Sequence, residues 1–142
     1  MTVYYARERM KMIRSAELYG WGFIATLSAE QFASAVNGIG PDSWPQEWRD
    51  RLSKWLDTFS LAADVHDCRF TFDNDGTREK FDYANDEIEK NCLLLADDKY
   101  PWWRPRRYIA RHAAHLIAKA CRDFGWEAWH EAFNKTKQGE TK

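Results

Sequence analysis

Residues 59–96 read FSLAADVHDCRFTFDNDGTREKFDYANDEIEKNCLLLA, and this stretch predicts a pair of helices joined by a turn. Apolar residues recur at helical spacing on both sides of the sequence DNDGT, whose side chains favour turns. We therefore expect helices over Phe59 to Phe72 and Arg78 to Ala96, with Thr58 capping the first of them. The shortness of the turn, Asp73 to Thr77, makes the two helices antiparallel.

Helical patterns also dominate the flanking segments. Ser28 and Gln31 have the spacing of a capping box before the sequence AEQFASAV. Pro45 opens a further helix, PQEWRDRLSKWL, whose Trp and Leu residues recur at helical spacing. After the interruption KYPWWRP, apolar residues predict a C-terminal helix over about 105–133, and we expect the polar tail 134–142 to be frayed. Strand patterns are absent, so the predicted fold class is all-α.

Composition places limits on the class of protein. The 142 residues, 44% apolar and 30% charged, fit a single globular domain spanning 1–142. A net charge of −1 gives no general attraction to nucleic acid or to anionic membranes, so such a partner requires a local patch. The three cysteines have no metal-ligand spacing, which indicates a reducing compartment. With no recognisable signal peptide or transmembrane segment, we expect a cytoplasmic protein, whose oligomeric state the sequence leaves open.

Each helix of the predicted pair carries one polar side chain on its apolar stripe. His66 shares a face with Phe59 and Phe70, and Asn85 lies in a stripe with Ile88. The two residues are at similar distances from the turn, so we expect a hydrogen bond between them. Such a bond is a sufficient structural reason for both, because a buried polar group without a partner costs about 1–3 kcal/mol. The alternative is a candidate catalytic site in which the imidazole accepts a proton.

A second candidate site combines a carboxylate with a Gly-rich loop. Asp67 follows His66 and points about 100° further round the helix. The loop that contains Gly38 and Gly40 can turn its backbone carbonyls inward, and calcium takes carbonyl oxygens together with a carboxylate. The alternative is that Gly38 is an ordinary helix C-cap and Pro41 an ordinary stop signal.

Taken in order, the motifs NGIGP (37–41), AADVHDCRF (62–70) and DGTREKFDYANDEI (75–88) resemble the phospholipase A2 superfamily. The resemblance is to its small, disulfide-poor domains encoded in bacterial and phage genomes. Members of the family have a Gly-rich calcium loop, a His-Asp pair on the first long helix, an aromatic residue four positions after the His, and an acid on the antiparallel second helix. The resemblance implies a phospholipase-A2-like helical hairpin core with flanking helices.

The resemblance also implies a mechanism. Backbone carbonyls of the loop, including Asn37, Gly38 and Gly40, would hold calcium together with the carboxylate of Asp67. His66 would be the general base for a water that attacks the sn-2 ester carbonyl of a phospholipid, while calcium polarises that carbonyl.

Two positions depart from the family pattern. Phe70 stands where a tyrosine is usual, and Asn85 stands where an aspartate is usual, as an altered partner for His66. In serine proteases the same change of a histidine's partner from Asp to Asn costs about 10⁴ in turnover. Asp86 and Asp82 face away from the stripe, so neither replaces the missing aspartate. These departures predict weakened catalysis.

The segment KYPWWRPRRYIARH, residues 99–112, concentrates aromatic and basic side chains, among them Trp102, Trp103, Arg104, Arg106 and Arg107. This mixture suits phospholipid headgroups, nucleic-acid phosphates or an acidic protein. The alternative is a connector between helices, whose tryptophans complete the core and whose arginines are solvated.

Two functions follow as expectations. The first is a calcium-dependent phospholipase-A2-like hydrolase with Phe70 at its substrate slot and a phospholipid or membrane surface as partner. The second is a catalytically inactive domain of the same fold, of phage or bacterial origin, that binds a host protein through residues 99–112, with nucleic acid as the weaker candidate partner. The two functions predict different surroundings for His66. A lipase needs an open apolar slot leading to the imidazole, whereas an interaction protein fills that slot with Phe70, Ile88 or a tryptophan.

Overall fold

The computed structural model describes residues 1–36 and 44–140. Within these ranges the chain forms α-helices and a short 3₁₀ turn, Ser53–Trp55, and contains no strand. The helices are α1 (Val3–Ser15), α2 (Trp21–Ala25), α3 (Ala29–Ala35), α4 (Gln46–Leu52), α5 (Ser60–Phe72), α6 (Arg78–Lys99), α7 (Pro105–Phe124) and α8 (Trp126–Glu140). The all-α prediction is confirmed.

The helix pair predicted from residues 59–96 is present as α5 and α6. Gly76 in the connecting turn has a φ of +79°, and the Thr77 hydroxyl caps α6 by accepting from the backbone N–H of Lys80. The predicted cap at Thr58 is wrong. The N-cap of α5 is Phe59, which makes no side-chain cap bond, and the Thr58 hydroxyl instead accepts a hydrogen bond from Lys99 at the end of α6.

The C-terminal segment differs from the single helix predicted over about 105–133. The chain ends α7 at Phe124, turns at Gly125 and begins α8 at Trp126. A Cβ atom at position 125 would lie 2.4 Å from the carbonyl oxygen of Cys121, so glycine is required there. The turn lets Trp129 pack between helices α5 and α6. The tail that was predicted to be frayed is helical through Glu140, as the end of α8.

Three short helices at the N-terminus form a layer against α5 and α6, and the sequence patterns had identified only α3 of them. Its predicted capping box, Ser28 with Gln31, is confirmed. Asn91 of α6 holds the layer in place, because its side chain accepts from the backbone N–H of Tyr19 at 2.7 Å and donates to the Tyr19 carbonyl at 2.9 Å. An ion pair between Arg9 of α1 and Asp64 of α5 adds a second link.

Three apolar clusters fill the interior. The first lies between α4, α5, α6 and α7, the second between α1, α3 and α5, and the third between α5, α6 and α8. Their largest buried members are Leu52, Trp55, Phe59, Ile88 and Ile117 in the first, Ile13, Leu18, Ile24, Phe32 and Val65 in the second, and Phe70, Phe81 and Trp129 in the third. All three clusters contain residues of α5, which is therefore the central helix and the one that carries His66 and Asp67.

None of the helices among the described residues is long and apolar enough to cross a membrane.

Candidate functional site

The site begins with the contact between α5 and α6 at His66 and Asn85. The imidazole Nε2 lies 2.9 Å from the Asn85 Oδ1, within hydrogen-bond distance. His66 is 6% exposed and Asn85 is fully buried. The hydrogen bond predicted between the two residues is confirmed, and it follows from their shared position on the two apolar stripes.

Burial determines the protonation state of this imidazole. It lowers the pKa of His66 to about 4, and the hydrogen bond from Asn85 opposes that shift only in part. The ring is therefore neutral at neutral pH. An amide oxygen only accepts hydrogen bonds, so the proton is on Nε2 and the lone pair of the ring is on Nδ1. The Nδ2 group of Asn85 is buried and has no partner among the described residues.

Aromatic rings close the space beside the imidazole. The Phe70 ring centroid lies 4.7 Å from that of His66 and 4.8 Å from that of Trp129, which it meets edge to face. Phe81 contacts both Phe70 and Trp129. Phe70, which was predicted to line a substrate slot, is 1% exposed. Its side chain is therefore part of the core.

The role of Trp129 was missed by the sequence analysis. Its spacing from Trp126 matches one helical turn, which was a usable signal for a second buried stripe. The predicted C-terminal helix over about 105–133 covered both tryptophans without a break, whereas α7 ends at Phe124 and α8 begins at Trp126. The indole Nε1 of Trp129 is buried and has no hydrogen-bond partner among the described residues.

Asp67 lies one residue further along α5 and is 7% exposed. Its carboxylate has no hydrogen-bond or ion-pair partner among the described residues, and only its backbone carbonyl is engaged, by the Thr71 hydroxyl. Burial raises the pKa of Asp67 well above its usual value, and the nearby carboxylate of Asp64 raises it further. Asp64 differs because Arg9 neutralises it. Asp67 is thus a buried acid that lacks a described counter-charge.

The other predicted calcium ligands, Asn37, Gly38 and Gly40, lie outside the described residues. The residues on either side of that gap are placed. Val36 packs against the cluster that contains Val65 and Cys68 of α5. Trp44 packs against the cluster that contains Cys121 of α7. Across the described part of the chain, no group of three or more His, Cys, Asp or Glu residues is arranged to hold a metal ion.

The remaining acids of α6 are engaged elsewhere. Asp86 pairs with Arg122 at 2.8 Å and Asp82 pairs with Arg78 at 3.4 Å, so neither is a partner for His66. This agrees with the sequence analysis, which placed both outside the apolar stripe.

One turn from the histidine, Glu87 forms a bidentate pair with Arg69. The guanidinium donates from Nε at 3.0 Å and from Nη2 at 2.9 Å, and the carboxylate is almost fully buried. The sequence analysis did not identify this pair, because neither residue belongs to an apolar stripe. It ties α5 to α6 beside the His66 contact and is a candidate for fixing their register.

The aromatic and basic segment lies at the far end of α6. Trp102 and Trp103 are 73% and 61% exposed, so the alternative in which these tryptophans complete the core is wrong. Arg107 is occupied by Asp97 at 3.0 Å. Arg104 stacks over Trp103, and Arg106 lies over Trp55, but neither forms an ion pair with a described residue.

The three cysteines are free and buried. Burial raises the pKa of the Cys68 and Cys121 thiols to about 12, so neither is a reactive thiolate at neutral pH. The Nδ1 of His115 lies 3.0 Å from Glu89 across the contact between α6 and α7. That position is half exposed and belongs to an ion-pair network with Arg122 rather than to a cleft.

No protein-family model, curated protein sequence or solved structure matches this chain.

Proposed function

We propose that this chain is a calcium-dependent, phospholipase-A2-like hydrolase of phospholipid sn-2 esters, with His66 as general base. The observation that supports this proposal is the arrangement on α5, where an imidazole hydrogen-bonded to Asn85 is followed by a buried carboxyl that has no counter-charge among the described residues. A buried carboxylate is costly unless it is paired, bound to a metal or protonated. Asp67 therefore suits a cation, and His66 is placed beside it.

The residues present fit calcium in their chemistry. Asp67 offers hard oxygen ligands, and the loop residues Asn37, Gly38 and Gly40 would add backbone carbonyls. When bound, calcium would supply positive charge to the carbonyl oxygen of the ester.

The protein's own contribution is to hold and move a proton. Asn85 fixes the tautomer in which Nε2 of His66 carries hydrogen, and this leaves Nδ1 free to take a proton from a water molecule. The water then attacks the ester carbonyl, and no covalent enzyme intermediate is needed. With a pKa of about 4 the imidazole is a weak base, so we expect slow turnover.

A second candidate function is a binding module of the same fold without catalysis. The observation that favours it is the packing of Phe70 and Trp129 against His66, since both rings are buried where a lipase needs an open slot. In this case the His66 and Asn85 bond is structural, and contact with a protein partner is made elsewhere on the surface.

Calcium titration followed by thermal unfolding tests the hydrolase proposal, because a ligand that binds only the folded state raises its stability. We expect calcium to raise the Tm of the wild type and to leave Asp67→Asn unchanged. Glu87→Gln is the matched control, since it neutralises another buried acid of the same region and should keep the calcium response. Release of lysophospholipid from a short-chain phosphatidylcholine, with a chelator as blank, then measures activity. If millimolar calcium does not raise the Tm of the wild type, the hydrolase proposal is wrong and the binding module is the better-supported function.

A further inference from the structure

Positive charge is concentrated in one part of this chain. Residues 99–122 contain seven Lys and Arg residues and no Asp or Glu. The other residues therefore carry 14 of the 21 basic and all 22 acidic side chains, a net charge of −8. The overall charge of −1 conceals this separation. A partner that is attracted by charge can approach this part of the chain and is repelled by the rest.

Several of these cations are already neutralised by the protein. Arg107 and Arg111 share Asp97, and Arg122 and Lys119 have acidic partners on α6 and α7. Arg104 and Arg106 form no ion pair with a described residue, and neither do Arg51 and Lys54 on the adjoining helix α4 and 3₁₀ turn. Two of these four cations, Arg104 and Arg106, lie at the turn between α6 and α7, where Asp98 offsets one charge.

Apolar surface lies among these unpaired cations. Trp102, Trp103, Tyr108 and Ile109 are each more than half exposed, and Trp102 and Trp103 stand on the turn between the ends of α6 and α7. A shallow groove of about 130 Å³ adjoins Ile109, with Trp55 and Leu116 as apolar walls and Arg51, Lys54 and His112 as basic ones. No carboxylate is among the described residues that line it. We call this region, from the turn to the groove, the aromatic-basic end.

We infer that the aromatic-basic end docks onto an anionic phospholipid bilayer. Tryptophan and tyrosine are favoured at the boundary between headgroups and acyl chains, and arginine and lysine are attracted to anionic lipid. Ile109 and the groove wall Leu116 add aliphatic surface, which suits acyl chains. The two tryptophans are exposed between the end of α6 and the start of α7.

The turn that carries Trp102 and Trp103 is remote from His66. Asn85 and Tyr100 are separated by about fifteen residues of α6, which is about 22 Å of helix. The docking surface therefore does not surround the imidazole, and the inference stands whether or not His66 is catalytic.

Co-sedimentation with vesicles tests the inference. The probes are vesicles of phosphatidylcholine alone and vesicles in which about one third of the lipid is phosphatidylglycerol. We expect the wild type to bind the anionic vesicles at least about tenfold more tightly, and to lose most of that preference in about 0.5 M salt. Equal binding to both vesicles, or no binding to either, overturns the inference.

Matched variants locate the surface. Trp102→Ala should weaken binding several-fold, whereas Tyr4→Ala should not, although the two side chains are 73% and 74% exposed. Arg104→Gln with Arg106→Gln should remove the preference for anionic lipid, whereas the exposed Arg7→Gln should keep it. If Tyr4→Ala and Trp102→Ala reduce binding equally, the contact is not at this end and the inference is wrong.

Quenching by brominated lipids gives an independent measurement. Trp102→Phe with Trp103→Phe keeps apolar rings but removes two fluorophores, so binding should persist while quenching falls. Unchanged quenching in that variant would show that other tryptophans enter the bilayer and would overturn the assignment. Binding of a single-stranded oligonucleotide that depends on Trp102, without any binding to vesicles, would assign the surface to nucleic acid instead.

Discussion

The imidazole Nε2 of His66 and the amide Oδ1 of Asn85 are 2.9 Å apart in the buried contact between α5 and α6, and the other end of the same amide has no partner among the described residues. The amide fixes the tautomer of the ring but adds no negative charge beside it. The weak basicity of His66 follows from this, because the hydrogen bond with Asn85 compensates only in part for the loss of water around an imidazolium ion.

Asn85→Asp should raise the pKa of His66 from about 4, because a carboxylate stabilises the charged ring. The measurement is an NMR titration of the His66 ring protons. If the hydrolase proposal is correct, calcium-dependent release of lysophospholipid should rise by at least about tenfold in this variant.

Two controls accompany the Asn85 variant. His66→Ala in the same background should abolish the gain in activity. Asp86→Asn, at the next position but paired with Arg122 on the surface, should leave the pKa of His66 unchanged. A folded Asn85→Asp protein that binds calcium and hydrolyses no phospholipid would favour the binding-module candidate.

Asp67→Asn should stabilise the metal-free protein at neutral pH by about 1 kcal/mol or more, because the amide avoids burying a charge. The pKa of Asp67 is raised in the folded state, so its contribution to the wild type is present below the unfolded pKa of 3.8 and is lost as the pH rises toward the folded pKa. The advantage of the variant should therefore grow as the pH rises above about 4.

Urea unfolding at several pH values, in the presence of a chelator, measures this difference. Asp64→Asn is the control, since Asp64 is paired with Arg9 and its loss should destabilise the protein. An Asp67→Asn variant that is less stable than the wild type without calcium would show that the carboxylate has a counter-charge, and the fit to calcium would be lost.

Arg69→Met should cost about 3–5 kcal/mol of stability, because it leaves the buried carboxylate of Glu87 without its bidentate partner. The double variant Arg69→Met with Glu87→Leu should recover much of that loss. Arg78→Met is the matched control, since its pair with Asp82 is exposed and should contribute less than about 1 kcal/mol. Denaturant unfolding of the wild type and these three variants measures whether the pair of Arg69 with Glu87 stabilises the contact between α5 and α6.

Phe70→Tyr should change stability by less than about 1 kcal/mol, although position 70 is buried. The reason is that Trp129, which contacts the ring, and Asn85, which holds the neighbouring His66, each have a buried N–H without a described partner. A hydroxyl can accept from one of them. Phe32→Tyr, in the cluster that contains α1 and α3, has no such donor in the part of the chain that the structure describes and should cost about 1–3 kcal/mol. Thermal unfolding compares the two, and an equal loss in both would contradict this explanation.

The contact of His66 with Asn85 was predictable because it depends on two regular periodicities and one short turn. Each polar residue interrupted an apolar stripe, and the length of the turn aligned the stripes. The exposure of Trp102 and Trp103 was left open, because tryptophan occurs both in cores and at surfaces and only the packing of neighbouring helices decides between them.

The features that the sequence did not reveal are those that depend on distant pairs. Trp129 reaches Phe70 only because the chain turns at Gly125, and a glycine within a helical pattern gives no direction for such a turn. Arg69 and Glu87 are both ordinary surface residue types, so their burial follows from the approach of α2 and not from either residue. The close contact is evident at Gly20, the N-cap of α2, where an added Cβ would lie 2.9 Å from the carboxylate of Glu87.

The pair of hydrogen bonds between Asn91 and the backbone of Tyr19 joins positions 72 residues apart. At a synthesis rate of about 5–20 residues per second, the N-terminal helices are therefore made several seconds before Asn91, whose side chain holds them in place. Ile13 and Phe32, fully buried in the finished protein, have no partner from α5 during most of that interval. A nascent chain stalled before residue 91 would expose this apolar surface and would be a target for chaperones or aggregation. The first part of the chain to be made therefore completes its packing only after α5 and the Asn91 region of α6 have been synthesised.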